Sequence, residues 1–341
     1  MGKKTKGFSR HALASGLSAK EFQLILFPTE QCNFRCVYCY EDFEKGKMPE
    51  WLVNSIKIFI ANKIQNLDKL TLSWFGGEPL LAEDVVFEIA EYANELANKY
   101  GCKLTGDLTT NGSLLTLKTL KRLVALKQDF FQISIDGDKE SHDQTRVTRS
   151  GHGSFDKVWT RLVDAAGTNL DFNILLRIHV TDVNQDSVLN FCKRYDESLA
   201  SDPRFKLYFK AIENLGGNNV DKIGKLIGKR SAREFADMLT RKYEQKSVDL
   251  QKNGHYICYA SKPNSLAIRS DGLLNKCTVA LKDDVNAVGK INPDGTLEIN
   301  NQRFSTWLKG FTTLDSWQMG CPLSYMNNNS SVGDIQFKKV G

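Results

Sequence analysis

From residue 22 to about 210, short β-rich apolar runs alternate with longer stretches of helical period, the pattern of repeated β-α units. Six strands are predicted, approximately Phe22–Phe27, Leu70–Phe75, Leu104–Thr109, Phe130–Ile135, Phe172–His179 and Phe205–Lys210. Between them, Leu52, Ile56, Phe59, Ile60 and Ile64 form one apolar stripe and Phe155, Val158, Trp159, Leu162 and Val163 another, each spaced to cover a sheet. Periodicity alone allows either an open doubly wound sheet or a barrel. Four polar sequences each begin at or just after the C-terminal end of a successive strand: Thr29–Glu41, Gly76-Gly77-Glu78-Pro79, Thr110-Asn111-Gly112 and Ser134-Ile135-Asp136-Gly137. In a barrel those ends converge on one mouth, so four strands would deliver their loops to a single site.

After about residue 211 the pattern changes. Gly216-Gly217-Asn218-Asn219 reads as a loop and Ala232–Val248 as a helix. Two hairpin signals follow, Ile268–Leu274 around Asp271-Gly272 and Ile291–Leu297 around Asp294-Gly295. The expected division is an N-terminal extension over 1–20, a core over 21–230 and a smaller module over 231–341. The polar run Asn327–Ser331 is expected to be loose.

A chain of 341 residues, 41% hydrophobic and 25% charged, can bury a full core and supports one large domain with a smaller one. The net charge of +6 is modest, and no dense Lys/Arg cluster marks a nucleic-acid surface. A peptide or small-molecule partner fits the charge at least as well. No apolar run approaches the roughly 20 residues needed to cross a bilayer, and no apolar region follows the basic start before Phe22. A soluble cytoplasmic protein is expected. In that setting the eight cysteines point to metal or redox chemistry rather than disulfides. The isolated Cys102 and Cys192 read as small core hydrophobes.

Cys32, Cys36 and Cys39 lie on one loop with Cys-x3-Cys-x2-Cys spacing after the first strand. A structural zinc site wants four ligands, and the nearest histidine in sequence is His11. A thioredoxin-like pair of Cys36 and Cys39 leaves Cys32 unexplained. A disulfide suits a reducing compartment poorly. An iron–sulfur cluster with three protein ligands uses all three thiols and leaves one iron open.

This spacing, with aromatic Tyr38 just before the last cysteine, resembles the radical S-adenosylmethionine (radical SAM) superfamily. The resemblance extends to Gly76-Gly77-Glu78, to Ser134-Ile135-Asp136-Gly137 and to His142-Asp143 followed by Arg146. It covers about residues 20 to 210 and implies a partial (β/α)6 TIM-like barrel. It also implies a [4Fe–4S] cluster on Cys32, Cys36 and Cys39 whose open iron chelates the methionyl group of S-adenosylmethionine. Reductive cleavage there releases a 5′-deoxyadenosyl radical that abstracts hydrogen from a substrate. Cofactor contacts are implied for Tyr38, Gly76, Gly77, Glu78, Asn111, Ser134 and Arg146.

Cys258, Cys277 and Cys321 resemble, incompletely, the SPASM or twitch extension of peptide-modifying radical enzymes. A full extension carries two auxiliary clusters on about seven or eight cysteines, so three exclude two complete clusters. One auxiliary cluster and buried packing both stay open. The expected activity is radical modification of a ribosomal peptide by crosslink, thioether or epimerisation. A flavodoxin- or ferredoxin-type electron donor and a separate leader-peptide-binding protein are expected as partners. A sulfatase-maturating enzyme is the alternative, although Thr278 stands where that group has an Asp base. A small-molecule radical enzyme is a third reading. A non-catalytic iron–sulfur sensor or electron carrier has no need of Gly76-Gly77-Glu78, Ser134 and Arg146.

Overall fold

The computed structural model describes residues 8, 10–215, 230–247 and 256–329. The predicted loop at 216–219 lies outside the described residues, as do Val248 and the tail from residue 330.

Six strands, β1 (Glu21–Leu26), β2 (Lys69–Trp74), β3 (Lys103–Thr110), β4 (Gln128–Ile135), β5 (Asn173–Val180) and β6 (Phe205–Ala211), match the six predicted to within about two residues. They pair in parallel and in sequence order, β1 to β2 through β5 to β6. A doubly wound sheet would reverse its strand order at a switch point. Sequential order is the barrel pattern, and here the sheet is not closed, because the free edge of β1 pairs with a strand other than β6. This is the partial barrel that the family resemblance implied.

Helices α1 (Arg10–Leu17), α2 (Glu50–Ile64), α3 (Glu83–Tyr100), α4 (Leu117–Ala125), α5 (Lys139–Thr145), α6 (Phe155–Ala166) and α7 (Gln185–Ser198) accompany these strands. Local chemistry sets their ends. Thr116 and Asp138 accept the Thr119 and Ser141 N–H groups to cap α4 and α5, while Gly101 takes the left-handed conformation (φ 69°) that stops α3.

Along β3 and β6, and along β4 from Phe131 onward, every second residue is buried, so one face meets the helices and the other lines the lumen. The helix-facing residues Leu72, Leu108, Ile133 and Leu207 join Leu52, Ile56, Ile60 and Ile64 of α2 in one core, which also holds Cys102 and Cys192. On α6, Phe155, Val158 and Leu162 are buried, but Val163 is 45% exposed. The second predicted stripe is therefore one position narrower, since a helix covering one sheet face has room for only part of its circumference.

Helix α8 (Arg230–Lys242) is shorter than predicted and buries Ala232, Ala236 and Leu239. Strands β7 (Ser265–Ile268) and β8 (Leu273–Asn275), then β9 (Ala287–Ile291) and β10 (Leu297–Ile299), form the two predicted hairpins, with Gly272 (φ 89°) and Gly295 (φ 77°) in the turns. Strand β7 adds parallel to β1, so core and hairpins share one ten-stranded sheet in the order β10-β9-β8-β7-β1-β2-β3-β4-β5-β6. Asn327–Asn329 close the helix Pro322–Asn329 instead of starting a loose tail. Among the described residues, no helix is long and apolar enough to cross a membrane.

Ile56→Ala should destabilise the fold by about 2–5 kcal/mol, because it empties a site with no exposed surface. Val163→Ala should change stability by less than about 0.5 kcal/mol. Urea unfolding of both variants checks the assignment, and equal effects would contradict it.

Candidate cluster and cofactor site

The cysteine loop leaves β1 and is held by backbone bonds on two sides. On one side Asn33 O accepts from Arg149 N (2.7 Å), Arg35 N donates to Val147 O (2.8 Å) and Val37 N donates to Thr145 O (3.0 Å). This zips the loop to the segment between α5 and α6. On the other, Gly77 N donates to Thr29 O (3.2 Å) and Glu78 N to Gln31 O (2.9 Å). A Cβ on Gly76 would lie 2.3 Å from Thr29 O, and one on Gly77 would lie 2.4 Å from Gln31 O. These glycines are what allow the loop after β2 to lie against the cysteine loop.

All three thiols are free and partly buried. Burial pushes Cys32 and Cys39 up to about 12 and raises Cys36, each thiol also feeling its neighbours. Thiolates would need a strongly cationic group here, and an iron cluster supplies one. Among the described residues no three His, Cys, Asp or Glu side chains converge on a single ion. In a cubane each thiolate takes its own iron, so cluster ligands stand farther apart than those of one ion. Cys32 Sγ already accepts from Phe34 N (3.3 Å) and faces Asn111 Nδ2 (3.8 Å), the kind of N–H contact that tunes cluster sulfurs. The donor set therefore fits the cluster that the spacing implies.

Glu78 has no exposed surface, and its carboxylate accepts from Leu80 N, Thr110 Oγ1 (2.8 and 2.9 Å) and Asn111 N (2.7 Å). Burial raises its pKa against these bonds. Glu78 thus fixes the end of β3, and with it Asn111, whose amide also donates to Asn33 Oδ1 (2.8 Å). Tyr38 Oη donates to Asp136 Oδ1 (2.9 Å) and accepts from Arg146 Nη1 (2.7 Å). His179 Nδ1 lies 2.9 Å from both Tyr38 Oη and Asp136 Oδ1. Burial opposes the charge of Asp136, but its bonds to His179 and the nearby Arg146 outweigh it and hold the carboxyl well below its usual range. An ionised carboxylate only accepts, so Nδ1 carries the proton. Ser134 lies beside Arg177 in the β4–β5 register and, like it, is half-buried.

The structure thus brings Tyr38, Asn111 and Arg146 together with the cysteine loop. Asp107 and Arg177 belong to none of the sequence motifs, and Glu41 has no role assigned within its own. Asp107 accepts from Ser73 Oγ (2.6 Å) on the inner face, where burial lifts it to about 6. Buried Glu41 has neither carboxylate oxygen bonded, and burial followed by the charge of Glu30 raises it to about 8. Arg177 has a buried, unpartnered Nε. Burial raises the pKa of Cys258 and Cys277, and each is also close enough to feel the charge of Cys321. Cys321 Sγ lies 3.3 Å from Ser324 Oγ.

Residues 26–195 match the Radical SAM superfamily model. The chain belongs to that superfamily. Among curated relatives of this radical SAM protein, the molybdenum cofactor biosynthesis protein moc-5 of Caenorhabditis elegans is 30% identical over 225 residues, 63% of this chain and 33% of the relative. The cysteine-type anaerobic sulfatase-maturating enzyme of Clostridium novyi is 25% identical over 188 residues, 52% of this chain and 49% of the relative. The chain spans about half, or less, of the length of these two relatives. Two solved structures share the fold: anSMEcpe with bound AdoMet (TM-score 0.59, 21% identity, covering 88% of this chain and 87% of that one) and SuiB of Streptococcus suis (0.58, 14%, 92% and 76%).

His142 is buried, with Nε2 3.1 Å from Ser154 Oγ and Nδ1 accepting from Asp136 N (3.4 Å). Burial, then the Arg146 charge, lowers it to about 4. Below pH 6.5 the unfolded chain therefore binds a proton that the folded one refuses, so stability falls as pH drops from 6.5 toward 4. The loss from this group approaches about 3 kcal/mol. His142→Gln should flatten that part of the profile in urea unfolding at pH 7 and pH 5. An unchanged pH slope would show that His142 is protonated in the fold.

Proposed function

We propose that this radical SAM enzyme binds a [4Fe–4S] cluster through Cys32, Cys36 and Cys39 and S-adenosylmethionine beside it, and modifies a peptide substrate. The observation that carries the reading is the joining of the free cysteine loop, Asn111, Tyr38 and Arg146 in one network at the strand ends. When bound, cluster and cofactor supply a hydrogen-abstracting adenosyl radical. The chain's own part is positional. Glu78 holds the Asn111 loop, and the paired Asp136, His179 and Arg146 hold Tyr38 and the back of the cysteine loop. Gly76, Gly77 and Ser134 complete the cofactor seat, and the external reductant is of flavodoxin or ferredoxin type. A leader-peptide-binding protein would present the substrate.

The peptide class is supported by the fold likeness to SuiB, which has been solved bound to its precursor peptide SuiA, and to anSMEcpe, solved with AdoMet and the Kp18Cys peptide. Sulfatase maturation is the second reading, favoured by the curated relatives of that name. Against it, the Thr278 hydroxyl lies 2.7 Å from Tyr259 Oη and has no carboxylate to act as a base. We place one auxiliary cluster at most on Cys258, Cys277 and Cys321.

Incubation with reductant, S-adenosylmethionine and candidate peptides should release 5′-deoxyadenosine and change the peptide. Loss of two hydrogens marks a crosslink, while a mass unchanged in ordinary water but raised by one deuterium in heavy water marks epimerisation. Formylglycine from a sulfatase-derived peptide would favour the second reading, and product formation only with a small metabolite would overturn the peptide class. For the auxiliary site, the variant with Cys32, Cys36 and Cys39 all replaced by Ala should hold about zero or about four irons per chain. A value near eight would contradict the ligand count.

A further inference from the structure

Glu30 lies two residues before Cys32 and has no exposed surface. Its carboxylate takes donors solely from the turn of the β7–β8 hairpin among its described hydrogen bonds. Arg269 Nε donates to Oε1 (3.1 Å) and Arg269 Nη2 to Oε2, while Ser270 N (3.3 Å) and Ser270 Oγ (3.1 Å) donate to Oε1. The guanidinium is fixed in turn by Leu281 O, which accepts from Nη1 (2.9 Å). Three more ion pairs tie residues 42–45 to the C-terminal module: Lys45 with Asp271 of the same turn, and Lys282, beyond β8, with Asp42 (3.3 Å) and Glu44 (3.9 Å). These three are partly exposed and contribute little alone. The Glu30–Arg269 pair is different, being bidentate and buried on both sides.

A buried pair of this kind adds little net stability over an apolar substitute, yet it tolerates only one alignment of its partners. The partners are 239 positions apart in sequence. One belongs to the loop carrying all three core cysteines, and the other to the C-terminal hairpin.

We infer that Arg269 is a positioning residue for the cluster: the C-terminal hairpin, through its grip on Glu30, holds the cysteine loop in its ligating shape. The module is then part of the cluster-binding apparatus even though it supplies none of the three core thiols. A core cut away from the hairpins would keep Cys32, Cys36 and Cys39 and lose the clamp beside them. This rests on the cluster reading above.

The test uses the full chain in two states. In metal-free protein, hydrogen exchange of the stretch 29–47 reports the loop directly. In reconstituted protein, the rate of iron loss to a chelator reports cluster retention. Arg269→Met should speed both by at least about tenfold, and Arg269→Lys, which keeps the charge but not the fork, should fall between it and wild type. Val288→Ala is the control, emptying a fully buried site in β9 of the same module. It should lower the melting temperature while leaving both rates within about twofold of wild type. If Arg269→Met does not fold, Arg269→Lys and Ser270→Ala carry the same comparison. Loop exchange unchanged in these variants, or raised equally by Val288→Ala, would overturn the inference. Wild-type protein that takes up no iron would instead overturn the cluster reading, and the metal-free exchange result would still decide whether the hairpin clamps the loop.

Discussion

The constraint on which the rest of the structure depends is the clamping of one loop, residues 29–41, from several directions. A ligand loop for a three-thiolate cluster must hold its shape before the metal arrives, and a free loop of this length would have many conformations to lose. Here the backbone is zipped to residues 145–149, lies against Gly76 and Gly77 at distances only glycine permits, and is pinned through Glu30 to Arg269. Each contact comes from a different part of the sheet. The parallel order of β1 to β4 is what delivers two of them, and the addition of β7 to β1 delivers the third.

The same geometry accounts for the buried charges. Asp136, Glu78 and Glu30 would each be costly in an apolar interior without partners. Each instead sits where loops meet: Asp136 with Tyr38, Thr145 and His179, Glu78 with Thr110 and Asn111, Glu30 with Arg269 and Ser270. The polar groups act as joints between strand ends. Glu41 and Arg177 stand apart from this pattern, as a buried carboxylate with no hydrogen bond and a cation with an unpartnered Nε, both close to the cysteine loop or the inner face.

Much of this was legible in the sequence because its signals are local. Short β-rich apolar runs mark the strands of the core, and Cys-x3-Cys-x2-Cys, Gly76-Gly77-Glu78 and Asp271-Gly272 are short motifs whose chemistry does not depend on distant partners. What stayed hidden depends on long separations. The segment Ser265–Ile268 is buried at all four positions, so it carries no alternation to reveal its partner, and its pairing to β1 spans most of the chain. Glu30 and Arg269 carry no local sign of each other, and Val163 fits the spacing of a stripe that packing leaves partly in solvent.

The central claim is that the cysteine loop carries a redox-active cluster with an open site for S-adenosylmethionine. Low-temperature electron paramagnetic resonance of the anaerobically reconstituted, reduced protein tests it most directly. The wild type should give a cluster signal whose shape changes when S-adenosylmethionine is added, and the variant with Cys258, Cys277 and Cys321 replaced should keep that response. A Cys36→Ala protein that retained both the signal and its response to S-adenosylmethionine would contradict the account.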